Sequence, residues 1–147
     1  MTSDLPTSPD PVALECGAAL GSAGGALTVV GHFSSAVSAD EQMVRGTVTV
    51  SAKRREAHGV VTPQAEAFLV RDGRIVTLPM PQDAVGRSLD LADGSVVEMP
   101  AMVALVPCSG GEALSPGAYD LYVRVVLNHD DGSRVASLGG PWPLEVR

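Results

Sequence analysis

AYDLYVRVVLN, from Ala118 to Asn128, decides how the rest of the chain is read. Tyr119, Leu121, Val123, Val125 and Leu127 alternate with Asp120, Tyr122, Arg124 and Asn128. A repeat of two puts the first set on one face of a strand and the second set on the other, which predicts a strand with one buried side. MVRGTVTVSA (43–52) repeats the pattern, with Val44, Gly46, Val48 and Val50 opposite Arg45, Thr47, Thr49 and Ser51. ALTVVGHF (26–33) repeats it through Leu27, Val29, Gly31 and Phe33. EAFLVRDGRIVTLP holds two apolar runs around Asp72-Gly73, a dipeptide that accepts positive φ at both centres of a type I′ turn, so a tight hairpin is predicted from Glu66 to Leu78.

Shorter strands are predicted near Arg87 to Leu91, Val96 to Met99 and Met102 to Val106, with breaks at Pro100 and Pro107. A last pair is expected around NHDDGS, ending in WPLEV. No window carries a sustained apolar stripe of helical spacing, because Gly or Pro interrupts each one. The expectation is therefore an all-β fold: an antiparallel β-sandwich of about eight strands with Greek-key connections. An extended tether is expected over 1–11, where Pro6, Pro9 and Pro11 lie among Ser, Thr and Asp, with a single sandwich domain over 12–147.

The 147 residues are 45% apolar but only 3% aromatic, so the core has to be built mainly from Val, Leu and Ala. A net charge of -7 argues against nucleic-acid or anionic-membrane partners, which need clustered Lys and Arg. Lys53-Arg54-Arg55 is the one short basic run, read as a solvated strand end or turn, with a phosphate or acidic-partner contact as the alternative. No apolar stretch approaches the roughly 20 residues of a membrane span. The N-terminus lacks the basic head and apolar body of a signal peptide, and the proline-rich start reads as a segment exposed by removal of a leader. Cys16 is a poor lipidation site, since Glu15 stands where a small residue belongs, while an anchor further upstream stays open. The abundance of Ala, Gly, Val and Pro, with one lysine and one asparagine, is usual for GC-rich bacterial genomes.

Leu114, Pro116, Gly117, Tyr119 and Leu121 form the pattern L-x-P-G-x-Y-x-L. This resembles the entry to a late strand in bacterial immunoglobulin-like and fibronectin-like domains, including the intracellular proteinase inhibitor family of bacilli. The PWPLEV end is similar to that of uncharacterised secreted proteins of high-GC bacteria. The resemblance implies that the antiparallel β-sandwich is immunoglobulin-like, with a tyrosine corner in which Pro-Gly reverses the chain and the Tyr119 hydroxyl reaches back to the preceding loop. It also implies a rival function, protease inhibition through a protruding loop, for which MPQDAVGRS (80–88) and RREAHGVVTPQ (54–64) are the candidates.

Catalytic, metal and cofactor sites are not expected. His32, His58 and His129 lack metal-ligand spacing. NHDDGS lacks the alternating oxygens and downstream carboxylate of a calcium loop and reads as a polar hairpin tip. There is no nucleophile elbow or P-loop, and the glycines of GSAGG precede a strand instead of a helix N-terminus. Asp83, Asp90, Asp93 and Glu98 read as a solvated face. Among the few aromatics, Tyr122 points away from the main core face and Trp142 sits between Pro141 and Pro143. Both are candidate partner contacts, weighed against a covered second sheet face or an edge contact. The function expected is a non-catalytic, extracytoplasmic binding or structural module of a bacterial cell-surface or secreted protein, with an unidentified protein partner.

Two cysteines in a chain with signs of export predict a Cys16–Cys108 disulfide tying the N-terminal segment to the loop before the strongest strand. Two reduced thiols are the alternative.

Overall fold

The computed structural model describes residues 14–20, 25–82, 85–111 and 113–147. The tether expected over 1–11, residues 21–24 of the glycine loop and Asp83 lie outside the described residues. The strands are β1 (Leu27–His32), β2 (Ala36–Val37), β3 (Met43–Ala52), β4 (Ala57–Val61), β5 (Ala65–Arg71), β6 (Arg74–Ile75), β7 (Arg87–Leu91), β8 (Val96–Ala104), β9 (Gly117–Asn128) and β10 (Arg134–Val146). The period-two segments therefore become β1, β3 and β9, and the predicted hairpin becomes β5 and β6. Val70 pairs with Ile75 and Arg71 with Arg74, leaving Asp72 and Gly73 at φ 53 and 77, as a type I′ turn requires.

The antiparallel immunoglobulin-like sandwich is corrected. All ten strands belong to one mixed sheet, with the main path β1-β3-β8-β5-β9-β10-β2, curled into a half-barrel. β5 runs parallel to β8 through Ala65↔Ala101 and Glu66↔Met102, and β10 runs parallel to β2. Alternating side chains specify which face of a strand is buried, but they are silent on which strand lies beside it and in which direction.

Pro100, read as a break between two strands, lies within β8 opposite Thr47. β8 acquires β5 as its second neighbour only from Ala101, so the missing N–H falls where the strand has one partner. β4 and β2 carry too little alternation to announce themselves.

The curl brings β1 against β10 by side chains, since β1 has a backbone ladder only with β3. The Leu27 N–H donates to Ser137 Oγ at 3.1 Å in a buried position. Gly139 allows the approach: a Cβ there would stand 2.5 Å from the Val29 carbonyl oxygen. Gly31 likewise makes the bed for the Trp142 ring, whose nearest atom lies 2.8 Å from where a Cβ would be.

The concave side holds the main core, including Val44, Val48, Val50, Leu69, Leu91, Met99, Leu121, Val123 and Leu144. A second, smaller core occupies the other face of β5, β9 and β10. Phe68, Val70 and Ile75 pack there with Leu14, Leu20, Tyr122 and Leu138, and Val126 and Ala136 pack beside Leu14. Burying Phe68 completely contributes ~1.5–3 kcal/mol relative to leaving it exposed. β9 thus has two buried sides where the sequence predicts one. Arg124, expected on a solvated face, is 7% exposed, and its Nε donates to Glu66 Oε1 at 2.8 Å. The pairing is what makes burial of the guanidinium tolerable.

The closing contact between β1 and β10 has a direct test. Ser137→Ala leaves the Leu27 N–H buried without its acceptor and is expected to lower unfolding free energy by ~1–3 kcal/mol in chemical denaturation, with an unchanged denaturant slope. Unaltered stability would show that the two strands are not joined there.

Candidate functional site

Cys16 and Cys108 are joined in a disulfide with Cα atoms 5.8 Å apart, as the sequence predicts. Backbone bonds continue the join. The Gly17 N–H donates to the Ile75 carbonyl at 2.8 Å, the Ile75 N–H to the Ala18 carbonyl at 2.9 Å, and the Cys108 N–H to the Val76 carbonyl at 2.9 Å. Arg74 Nη1 adds a bond to the Gly17 carbonyl at 3.0 Å. The N-terminal segment is thereby strapped to β6, where it covers the second core and raises one wall of a groove.

That groove has a volume of about 560 Å³ and runs between the disulfide, the Ser109–Gly111 loop, Leu114, Ser115 and the β5–β6 turn. A second depression of about 670 Å³ lies on the far side of Arg71 and Tyr119, with Asp120 and Glu145 on its wall. Arg71 and Tyr119 form the partition between them.

Tyr119 is buried, with its ring in the main core. Its hydroxyl donates to the Ser115 carbonyl at 2.5 Å, four residues back, which is the tyrosine-corner bond expected of the L-x-P-G-x-Y pattern, here in a fold of another kind. The same oxygen accepts from Arg71 Nη1 at 3.1 Å, and the Arg71 Cζ lies 4.9 Å from the ring centroid. A face contact and a fork contact to one ring hold the guanidinium in a single plane. Gly117, at φ 145, clears the space: a Cβ there would meet Arg71 Nη2 at 2.6 Å.

The candidate partner contacts have internal neighbours. The Tyr122 ring stacks on Phe68 with centroids 5.9 Å apart, in the second core. Burial, with the Asp120 carboxylate adding to it, raises the Tyr122 phenol above 10.0. Trp142 lies 6.2 Å from Phe33, partly buried at the β1–β10 junction. Both stay half-buried.

The suspected inhibitory loops belong to the sheet in part, through β4 and the start of β7. Residues 57–61 form β4, paired with β7 throughout. Gln82 exchanges hydrogen bonds with the Gln64 backbone, 3.0 Å in each direction. Lys53, Arg54 and Arg55 are exposed at the β3–β4 connection.

In NHDDGS the Asp131 Oδ1 accepts from the Ser133 hydroxyl and the Ser133 N–H, which lowers the Asp131 carboxyl below its ordinary value, and the turn closes by a bond from the Gly132 N–H to the His129 carbonyl. It is a polar hairpin tip.

One cluster was not legible in the sequence. His58 on β4 meets Asp90 on β7, Nδ1 to Oδ1 at 2.9 Å, and Glu56 at 3.5 Å from Nε2. His58 and Asp90 are 32 positions apart and meet only because β4 and β7 pair in that register. Among the described residues no cluster of three or more His, Cys, Asp or Glu is arranged to hold a metal ion.

No protein-family model matches the chain, and no curated protein matches it. Solved structures similar to it include the Pseudomonas fluorescens alkylpurine DNA glycosylase AlkC bound to DNA, at 15% identity and TM-score 0.47 over 84% of this chain and 31% of that one. A Listeria innocua β-glucosidase stands at 10% identity and TM-score 0.44 over 83% of this chain and 16% of that one. The sporulation control protein Spo0M of Bacillus subtilis stands at 17% identity and TM-score 0.43 over 84% of this chain and 50% of that one. This chain spans half or less of each. With every TM-score below 0.5, the likeness carries no argument about fold or function.

The histidine cluster fixes a pH response. The hydrogen bond to Asp90, and then the charges of Glu56 and Asp90, raise the His58 pKa above the ordinary 6.5. The stabilisation from its protonated form is fully present below that value and is lost as pH rises through the raised folded value. In an NMR titration His58 is expected to titrate above 6.5, and Asp90→Asn to bring it down. A midpoint that Asp90→Asn leaves in place would contradict the assigned cause.

Proposed function

We propose that the chain is a non-catalytic binding module that works outside the cytoplasm, in a bacterial cell-surface or secreted protein, and that the groove beside the Cys16–Cys108 bond is its binding surface. The observation that carries this reading is how the groove is built. A covalent bond fixes one wall, and a buried tyrosine fixes the one cation of the partition. Disulfides persist in oxidising compartments, so the bond supports the extracytoplasmic address. The bacterial origin is supported by composition and by the resemblance of the PWPLEV end to secreted proteins of high-GC bacteria.

Binding is favoured over chemistry by how the polar groups are engaged. The Tyr119 proton is committed to the Ser115 carbonyl, and among the described residues the groove lining carries one carboxylate, Asp72, at an exposed turn. His58, the imidazole with raised basicity, is on the β4–β7 pair and is not part of the lining. A protein that recognises without reacting needs a rigid, concave surface with a few fixed polar groups, which this groove supplies.

The test is the redox state of the chain in its native host. With thiols alkylated before lysis and the cells then fractionated, the chain is expected outside the cytoplasm with no alkylated cysteine. A cytoplasmic chain carrying two alkylated cysteines would overturn the reading.

A further inference from the structure

We infer that the groove is a carboxylate site, with the Arg71 guanidinium as the group that recognises the ligand; this rests on the groove being the binding surface proposed above. The ligand class is an organic acid of the size of an amino acid or the free C-terminus of a peptide.

Arg71 ends β5 and is partly buried, so its charge has lost part of its hydration. In a chain of net charge -7, a cation in such a place would ordinarily be paired with an acid. Here its polar and ring contacts among the described residues are with Tyr119, Gly117 packs beside its Nη2, and no carboxylate among them comes within ion-pair distance. Arg124 makes the contrast: it is buried on β9, and Glu66 meets it at 2.8 Å. One Arg71 N–H of five is taken up by Tyr119, which leaves an edge of the fork for a two-pronged contact of the kind a carboxylate accepts.

Three further features point the same way. Tyr119 both accepts from Arg71 and donates to Ser115, so the fork is oriented before any ligand arrives, and the ordering cost of binding falls. The opposite lip carries Gly110 and Gly111, at φ 98 and 113, and no atom lies within 4 Å of a Cβ placed on Gly110, so a ligand can approach the backbone closely. Charge is graded across the partition. Among the described residues, the first depression sets Arg71 and Arg74 against Asp72, while the second sets Asp72, Asp120 and Glu145 against Arg71. An anion is therefore drawn to the disulfide side, and the acidic side repels it.

The experiment is an NMR titration of the oxidised protein with N-acetyl-alanine, N-acetyl-alaninamide and inorganic phosphate as probes. N-acetyl-alanine is expected to shift the Arg71 Nε–H and the amides of Gly110, Gly111 and Tyr119 saturably, with the amide and phosphate binding at least about tenfold more weakly. Arg71→Gln is expected to weaken the acid by about tenfold or more, while Arg87→Gln, which removes the same charge from an exposed site on β7, changes it less than about twofold. The chemical-shift dispersion of each variant establishes that it is folded. Equal shifts by the amide would show that the groove binds without reading a carboxylate. Equal binding of phosphate would reduce it to a general anion site. No shift with any probe, or full binding by folded Arg71→Gln, would remove Arg71 as the recognising group. Each of these outcomes overturns the carboxylate site, while the extracytoplasmic reading falls only if the cysteines prove reduced in the host.

Discussion

The Cys16–Cys108 bond turns an N-terminal segment into part of the fold. It spans a sequence separation of 92, and closing a loop of that length in the unfolded chain is worth up to ~4.6 kcal/mol, a large share of the ~5–15 kcal/mol that holds a domain together. Its local effects matter as much. The segment it retains pairs with β6, lays Leu14 and Leu20 over Phe68 and Ile75, and raises one wall of the groove. With 3% aromatic residues, the chain gains a second apolar layer by strapping a short segment over its sheet instead of by enlarging side chains.

Tyr119 links that peripheral construction to the interior. Its ring belongs to the main core, and its hydroxyl joins Ser115 to Arg71 at the surface. The groove therefore inherits its rigidity from the sheet on one side and from the disulfide on the other. A site on such supports keeps its geometry without a ligand, which suits recognition better than a mobile loop would.

The strands were readable from residues, but their neighbours were not. Tyr119, Leu121, Val123, Val125 and Leu127 all face the main core as their alternation predicts, and Asp72-Gly73 turns as its chemistry demands. The parallel contact of β5 with β8 leaves no mark on either sequence, since direction is a property of the ladder. The second core escaped for a related reason. Arg124 and Tyr122 alternate with apolar residues whether the face they occupy is wet or covered, and the cover comes from a segment far away in the chain. The disulfide was legible because two cysteines allow one pairing within the chain. Arg71, beside a turn, resembles any strand-end arginine until Tyr119 and Gly117 are seen around it, and Asp90 meets His58 only through strand register.

The disulfide holds the N-terminal strap and the groove wall in place on a sheet that is otherwise self-sufficient. Hydrogen exchange of the oxidised and the reduced protein, compared amide by amide, tests this most directly. Reduction is expected to release the Gly17 and Ile75 amides, which bond between the strap and β6, and the Cys108 amide, which bonds to the Val76 carbonyl beside the disulfide, while those within β3 and β8 keep their protection. Unchanged exchange at the strap, or a simultaneous loss of protection through β3 and β8, would contradict it.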